Sequence, residues 1–230
     1  MMLLIQFAYA NHNNPMLGHS LPLPASQVVG GPDWINSEGY DSQVKARANT
    51  DPKQWWLMWQ TLLADRFKLK LHRETRELPI YNLTVVKSGP KLPPAKEAGC
   101  VSFPPGTKPR YVPGKVDCGY VSGPFGRYTK GLLHIEGRKV HMADLTRELA
   151  LILDRPISDK TGFAGEFDLK LSFTPDGALT GMPPGYGGPA DPTLPNIVAA
   201  LEEQLGLKLV PAKGPVEVLV IDHAERPTGN

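Results

Sequence analysis

The sequence predicts an α+β protein built from repeated helix–strand–strand units, and three observations carry that expectation. Apolar residues recur at helical spacing around Trp55, Leu149 and Leu201. Each of these stretches is followed by short alternating or apolar runs of strand character. Glycine- and proline-rich segments separate the units, where missing donors and turn-prone backbone oppose regular structure.

The last unit is the clearest. Thr193 can cap a helix with Pro195 in its first turn, and Ile197, Leu201 and Leu205 then share one face. Gly206 stops that helix. Leu207–Val210 reads as a short strand, Lys213-Gly214-Pro215 as a turn, and Val216–Ile221 as a second strand. A second unit opens at Asp51-Pro52, with Trp55, Trp59, Leu62 and Arg66 on one helix face and Leu63 beside them. Its strands are Lys68–Arg73, which alternates strictly, and Tyr81–Val86. A third has Met142, Leu145, Leu149 and Ile152 on its helix, then Pro156-Ile157-Ser158, the turn Asp159–Gly162 and the strand Phe167–Phe173. A degenerate first unit runs from a helix at Leu3–Ala10 through Gly30-Gly31-Pro32 to a strand at Tyr40–Val44. The closing strands open alike, Tyr40-Asp41, Tyr81-Asn82 and Phe167-Asp168, which is the mark of an internal repeat.

Helices laid on hairpins in this way form either one continuous antiparallel or mixed sheet or two pseudo-symmetric lobes, and two lobes are the expectation. The expected division is 1–92 for the first lobe, 93–131 for a Pro/Gly-rich linker loop, and 132–230 for the second lobe with a long loop at 174–196. Residues 88–131 hold eight glycines and eight prolines, the basis for the linker.

Composition narrows the function. A 41% hydrophobic fraction supports a sizeable core, and 25 basic against 23 acidic residues leave a net charge of +2. That balance lacks the basic footprint of a nucleic-acid binder. No run of about 18 apolar residues is present, so no transmembrane segment is expected. Met1–Ala10 ends like a signal peptide but has no basic leader and is short, so it reads as a first helix without export function. Cys100 and Cys118 fit either two free thiols or a loop-stapling disulfide, and their spacing is not that of a zinc site.

Several of these residues together resemble an uncharacterised soil-associated acidobacterial family. They are Leu62-Leu63-Ala64-Asp65-Arg66-Phe67-Lys68-Leu69, His72-Arg73-Glu74, Pro79-Ile80-Tyr81 and Lys87–Leu92, then Arg155–Gly162 with Gly165 and Phe167-Asp168, and a tail from Gln204 to Arg226-Pro227. The resemblance implies a secreted or periplasmic origin in a soil bacterium. It implies no agreed activity and no catalytic residues.

Motif chemistry is sparse. Asp159-Lys160-Thr161-Gly162 lacks the further Thr of the phosphorylated-aspartate motif and reads as a turn. Ser42-Gln43-Val44-Lys45 has a Ser-x-x-Lys spacing on an expected strand and reads as chance. No nucleophile elbow, phosphate-binding loop or dinucleotide fingerprint appears. Of the six histidines, His223 is the leading candidate: Asp222-His223 closes an expected central strand, so a carboxylate-oriented general base is available there, with His141 as a further catalytic candidate. Asp159 and Asp168 sit at turns or strand ends, where hard carboxylate oxygens suit Ca2+. The reading these residues favour is a hydrolase of small activated acyl substrates, such as esters or lactones of the acyl-homoserine type, with calcium as a possible cofactor. The alternative is a non-catalytic envelope module that binds a ligand or partner.

Overall fold

The structure is a computed structural model, and it describes residues 1–10, 22–41, 45, 50, 52–96, 99–102, 116–123, 128–176, 179–181 and 188–228. In chain order the elements are helix α1 (Met2–Ala8), strand β1 (Val28–Gly30), helices α2 (Trp34–Ser37) and α3 (Pro52–Phe67), and strands β2 (Lys70–Val85), β3 (Cys100–Val101), β4 (Val116–Asp117), β5 (Val121–Ser122), β6 (Tyr128–Thr129) and β7 (Leu132–Val140). Helix α4 (Met142–Ile152), strands β8 (Ile157–Asp159) and β9 (Phe167–Phe173), helix α5 (Ile197–Ala200) with a π-helical turn at Leu201–Leu205, and strand β10 (Leu207–His223) complete the chain. The fold is α+β, as expected.

The strands do not form the expected hairpins. Lys68–Arg73 and Tyr81–Val86 fall largely within the single strand β2, and Leu207–Val210 and Val216–Ile221 within the single strand β10. Pro79, Pro211 and Pro215 have the character of breakers in sequence, yet the proline φ is compatible with extended backbone and costs only one donor. Gly214 makes no turn. A Cβ there would meet Ile80 Cδ1 at 2.8 Å, so its role is close approach. One sheet has the order β1-β10-β2-β8, with β1 parallel to β10 and β8 parallel to β2. In a second, β7 is central, paired antiparallel with β5, β6 and β9, and β3 pairs with β4 in a third, two-stranded sheet. The stretch expected as a bare linker carries β3 to β6, and a Cys100–Cys118 disulfide ties β3 to the end of β4.

The chain packs into two compact units, one chiefly Met1–Leu78 with Pro215–Asn230, the other Pro79–Phe103 with Pro109–Gly214. The boundary therefore falls inside β2 and β10 rather than in the Pro/Gly-rich stretch. The first unit has a small core of Ile5, Trp34, Ile35, Leu63, Phe67 and Ile221 with their neighbours. On α3 the buried residues are Leu63 and Phe67, not the expected face through Trp55, Trp59, Leu62 and Arg66. Lys68, at φ 49°, ends α3 in a left-handed turn that returns the Leu69 amide to the Leu63 carbonyl. Tyr40 lies edge-on to Trp34 and Phe67 and gives its hydroxyl to Glu38. The remainder of the expected strand, Ser42–Val44, lies outside the described residues, as do His12 and His19.

The second unit has the larger core. Leu133 and Ile135 of β7, Phe167, Leu171 and Phe173 of β9, and Leu145, Leu149 and Ile152 of α4 are all fully buried there. Helix α4 buries the expected face. Its Asp144 carboxylate accepts from the His141 amide, the reciprocal half of a capping box. Helix α5 is capped by Asn196, whose side chain accepts from the Ala199 amide at 2.9 Å. Thr193, the expected cap, instead donates its amide and hydroxyl to Asp191. Gly206 ends this helix at φ 66°, and a Cβ there would lie 2.4 Å from the Gly89 carbonyl.

Candidate functional site

In the first unit the chemistry lies along α3. This helix carries apolar side chains that the core of its unit covers only in part. Leu57 remains 58% exposed. The tryptophans Trp55, Trp56 and Trp59 are half-buried. Trp56 stacks on Phe7 of α1, and Trp55 meets Trp59 edge-on. Beside Leu57, Met58 and Leu62 runs a groove of about 820 Å³. Its polar lining comes from Lys45, Thr50, Gln54, Thr61, Asp65 and Arg66. Three apolar side chains thus stand beside six polar ones in an open groove, a surface that offers an amphipathic molecule both kinds of contact.

The ionic groups of the same unit are mutually satisfied on its surface. His72 Nδ1 lies 2.9 Å from Asp222 Oδ1, and both side chains are about half exposed. The Asp222 carboxylate holds the His72 imidazolium above the ordinary histidine value. Raising that value suits an ion pair and reduces the fraction of neutral base at neutral pH. Arg73 pairs with Glu217, and His223 Nε2 bonds Glu225 at 2.8 Å. The expected pairing of Asp222 with His223 is not formed; each side chain has a different partner.

In the second unit, His141 lies at the start of α4 with Nε2 3.7 Å from Glu166. Of the three expected catalytic residues, His223 and Asp222 belong to the first unit and His141 to the second. Asp159 accepts from the amide and hydroxyl of Thr161, which makes it the keystone of the expected turn. Asp168 is buried and accepts from Arg138 at 2.6 Å and from the Lys139 amide at 3.3 Å, across the bulge between Gly137 and Val140. Among the described residues no group of three His, Cys, Asp or Glu side chains is placed to hold a metal ion.

Two features lie outside every motif named so far. On the outer face of β7 and β9, Ser172 Oγ lies 2.9 Å from His134 Nδ1, and His134 Nε2 lies 2.7 Å from Thr129 Oγ1. His134 and Ser172 are cross-strand partners, and Gln204 clamps the backbone of Ser172 from the side away from β7. The strict alternation of Leu133, His134, Ile135 and Glu136 is the signal that marks this strand. The second is Glu148 of α4, fully buried, with neither carboxylate oxygen hydrogen-bonded. Burial pushes its carboxyl up to about 7, with the charge of Arg147 opposing only in part.

With this geometry in hand, the comparisons with known proteins add one match. A family model described as a protein of unknown function, DUF3738, matches residues 3–224. No curated protein and no solved structure matches.

Proposed function

The chain belongs to the DUF3738 family, and from the groove along α3 we propose that it is a ligand-binding module of an oxidising compartment. The observation that carries this reading is the apolar wall of Leu57, Met58 and Leu62 beside polar groups of both charges. A small amphipathic molecule fits such a surface, its apolar body on α3 and its polar end at the rim. Covering Leu57 alone contributes on the order of 1 kcal/mol, because its apolar surface leaves water. The Cys100–Cys118 disulfide supports the oxidising compartment, because a reducing cytosol disfavours such bonds. A thermal-shift panel of medium-chain fatty acids, acyl-homoserine lactones and their short-chain controls tests the reading. Stabilisation that grows with chain length supports it, and a flat response across the panel removes it.

A second reading, hydrolysis of small activated acyl compounds, has one specific support, the Ser172–His134 contact. In it Ser172 Oγ attacks the acyl carbon of a lactone or ester while His134 Nδ1 takes the hydroxyl proton and returns it to the leaving oxygen. Thr129 holds the imidazole in orientation, and water then cleaves the acyl-serine. Against it stands the bonding of Ser172's own amide to Gln204, which leaves that N–H unable to serve an oxyanion. Turnover of p-nitrophenyl esters and lactones, measured with Ca2+ and with a chelator, separates the possibilities. Activity lost in Ser172→Ala supports this reading, activity lost in His223→Ala moves the chemistry to the end of β10, and no turnover above buffer discards catalysis. Dependence on Ca2+ that disappears in Asp159→Asn or Asp168→Asn assigns the ion to those positions.

A further inference from the structure

Glu148 is the least expected side chain in the second unit. It sits on the face of α4 that also presents Leu145, Leu149 and Ile152 to the core. Both carboxylate oxygens are buried and have no hydrogen-bond partner among the described residues. Unpaired buried carboxylates are costly enough that such groups normally stay protonated or find a partner. The backbone over it is Gly123, immediately after β5. A Cβ on that residue would stand 1.9 Å from Glu148 Oε1, so with glycine there the segment closes on the carboxyl without displacing it. The closing segment is itself lightly held. Strand β5 has two ladder pairs, Val121 with Gly137 and Ser122 with Glu136.

We propose that Glu148 is a pH-sensitive latch, which in its protonated form lets the Val121–Gly123 segment lie closed on α4 and in its ionised form drives that segment open to admit water. Of the elements that share the core with α4, β5 carries no titratable side chain and β8 carries only Asp159, which is bound by Thr161; β7 carries His134, Glu136, Arg138 and Lys139, and β9 carries Lys170 and Asp168, the last paired with Arg138. On α4 itself, Arg147 is paired with Asp144 at 2.7 Å. His141 stands at the helix start, with its Nε2 3.7 Å from Glu166.

The direction follows from linkage. A carboxyl held at about 7 when closed and returning to its ordinary value of 4.5 when hydrated binds more protons in the closed state across that interval. Closure is therefore complete below the lower value. It weakens about tenfold per pH unit as pH rises towards the upper one, and is flat beyond it.

Amide hydrogen exchange of the intact protein tests this, with protection corrected for the intrinsic pH dependence. We expect the amides of Val121–Gly123 to lose protection at about tenfold per pH unit from about pH 5 to 7, while those of β9 hold theirs. In Glu148→Gln, which keeps the shape without the proton, the slope disappears; a contribution from His141 survives that substitution and is so distinguished. Should Glu148→Gln not fold, titration of the wild-type carboxyl by carbon NMR reads the same proton directly, and a midpoint near 7 is the expected result. A Glu148 midpoint near 4.5, or a slope unchanged in Glu148→Gln, overturns the latch.

Discussion

Helices α3 and α4 differ in how completely their units use them. Helix α4 separates its surfaces sharply: Leu145, Leu149 and Ile152 are fully buried, while Ala143 and Arg147 face water. Helix α3 has no such division. Leu63 and Phe67 are buried, but Leu57 is exposed, and the tryptophans and Met58 are only half covered. A helix apolar on all sides normally belongs in a core large enough to enclose it. The first unit has too small a core for that, so apolar surface is left over beside the groove. The difference teaches that α4 is a structural element with one exceptional residue, whereas α3 carries surface that folding does not consume.

That contrast can be broken at its strong end first. Leu149→Ala removes a fully buried side chain from the larger core and is expected to cost about 3 kcal/mol in urea denaturation. Leu57→Ala on α3 is expected to stay within about 0.5 kcal/mol of wild type; equal costs would erase the distinction. Replacing both Cys100 and Cys118 by Ser releases a closure of 18 residues and is expected to lower stability by about 2–3 kcal/mol in the same assay. A loss no greater than that caused by dithiothreitol on the wild type confirms that the disulfide is the cause. Asn196→Ala leaves the Ala199 amide without its acceptor and is expected to cost about 1 kcal/mol. The smallest effect belongs to the exposed His72–Asp222 pair. Because the His72 value is raised in the folded chain, its stabilisation is present below about pH 6.5 and is lost as pH rises through the raised value. Asp222→Asn should therefore lower the melting temperature slightly at about pH 5.5 and leave it unchanged at about pH 9.

How much of the molecule is legible in its sequence follows the same physical lines. Amphipathic patterning makes the α4 face legible, and Gly206, left-handed in the structure, marks the end of the α5 segment correctly. Proline and glycine mislead where extended backbone tolerates them: Lys213-Gly214-Pro215 has the composition of a turn yet runs straight through β10. The outer residues of β7 carry a signal in the plain alternation of Leu133, His134, Ile135 and Glu136, but nothing in it points to Ser172 across the ladder. Glu148 is legible too, three residues after Leu145 and four before Ile152, which places a carboxyl on the buried stripe. Asp222 and His223 take different partners because a strand-end position says nothing about which side chain lies across from it. His72 comes to Asp222 from a residue 150 positions away. The groove has no sequence signal beyond an excess of apolar residues on α3.

The most direct test is a tryptophan-emission titration of the intact protein with dodecanoate kept below its micelle concentration. Trp55, Trp56 and Trp59 lie on the same helix as the groove-lining Leu57, Met58 and Leu62. A ligand seated on α3 predicts a saturable blue shift with one ligand per chain, abolished in Leu57→Asp and retained in Ser172→Ala. A response that never saturates, or that Leu57→Asp leaves intact, would contradict it.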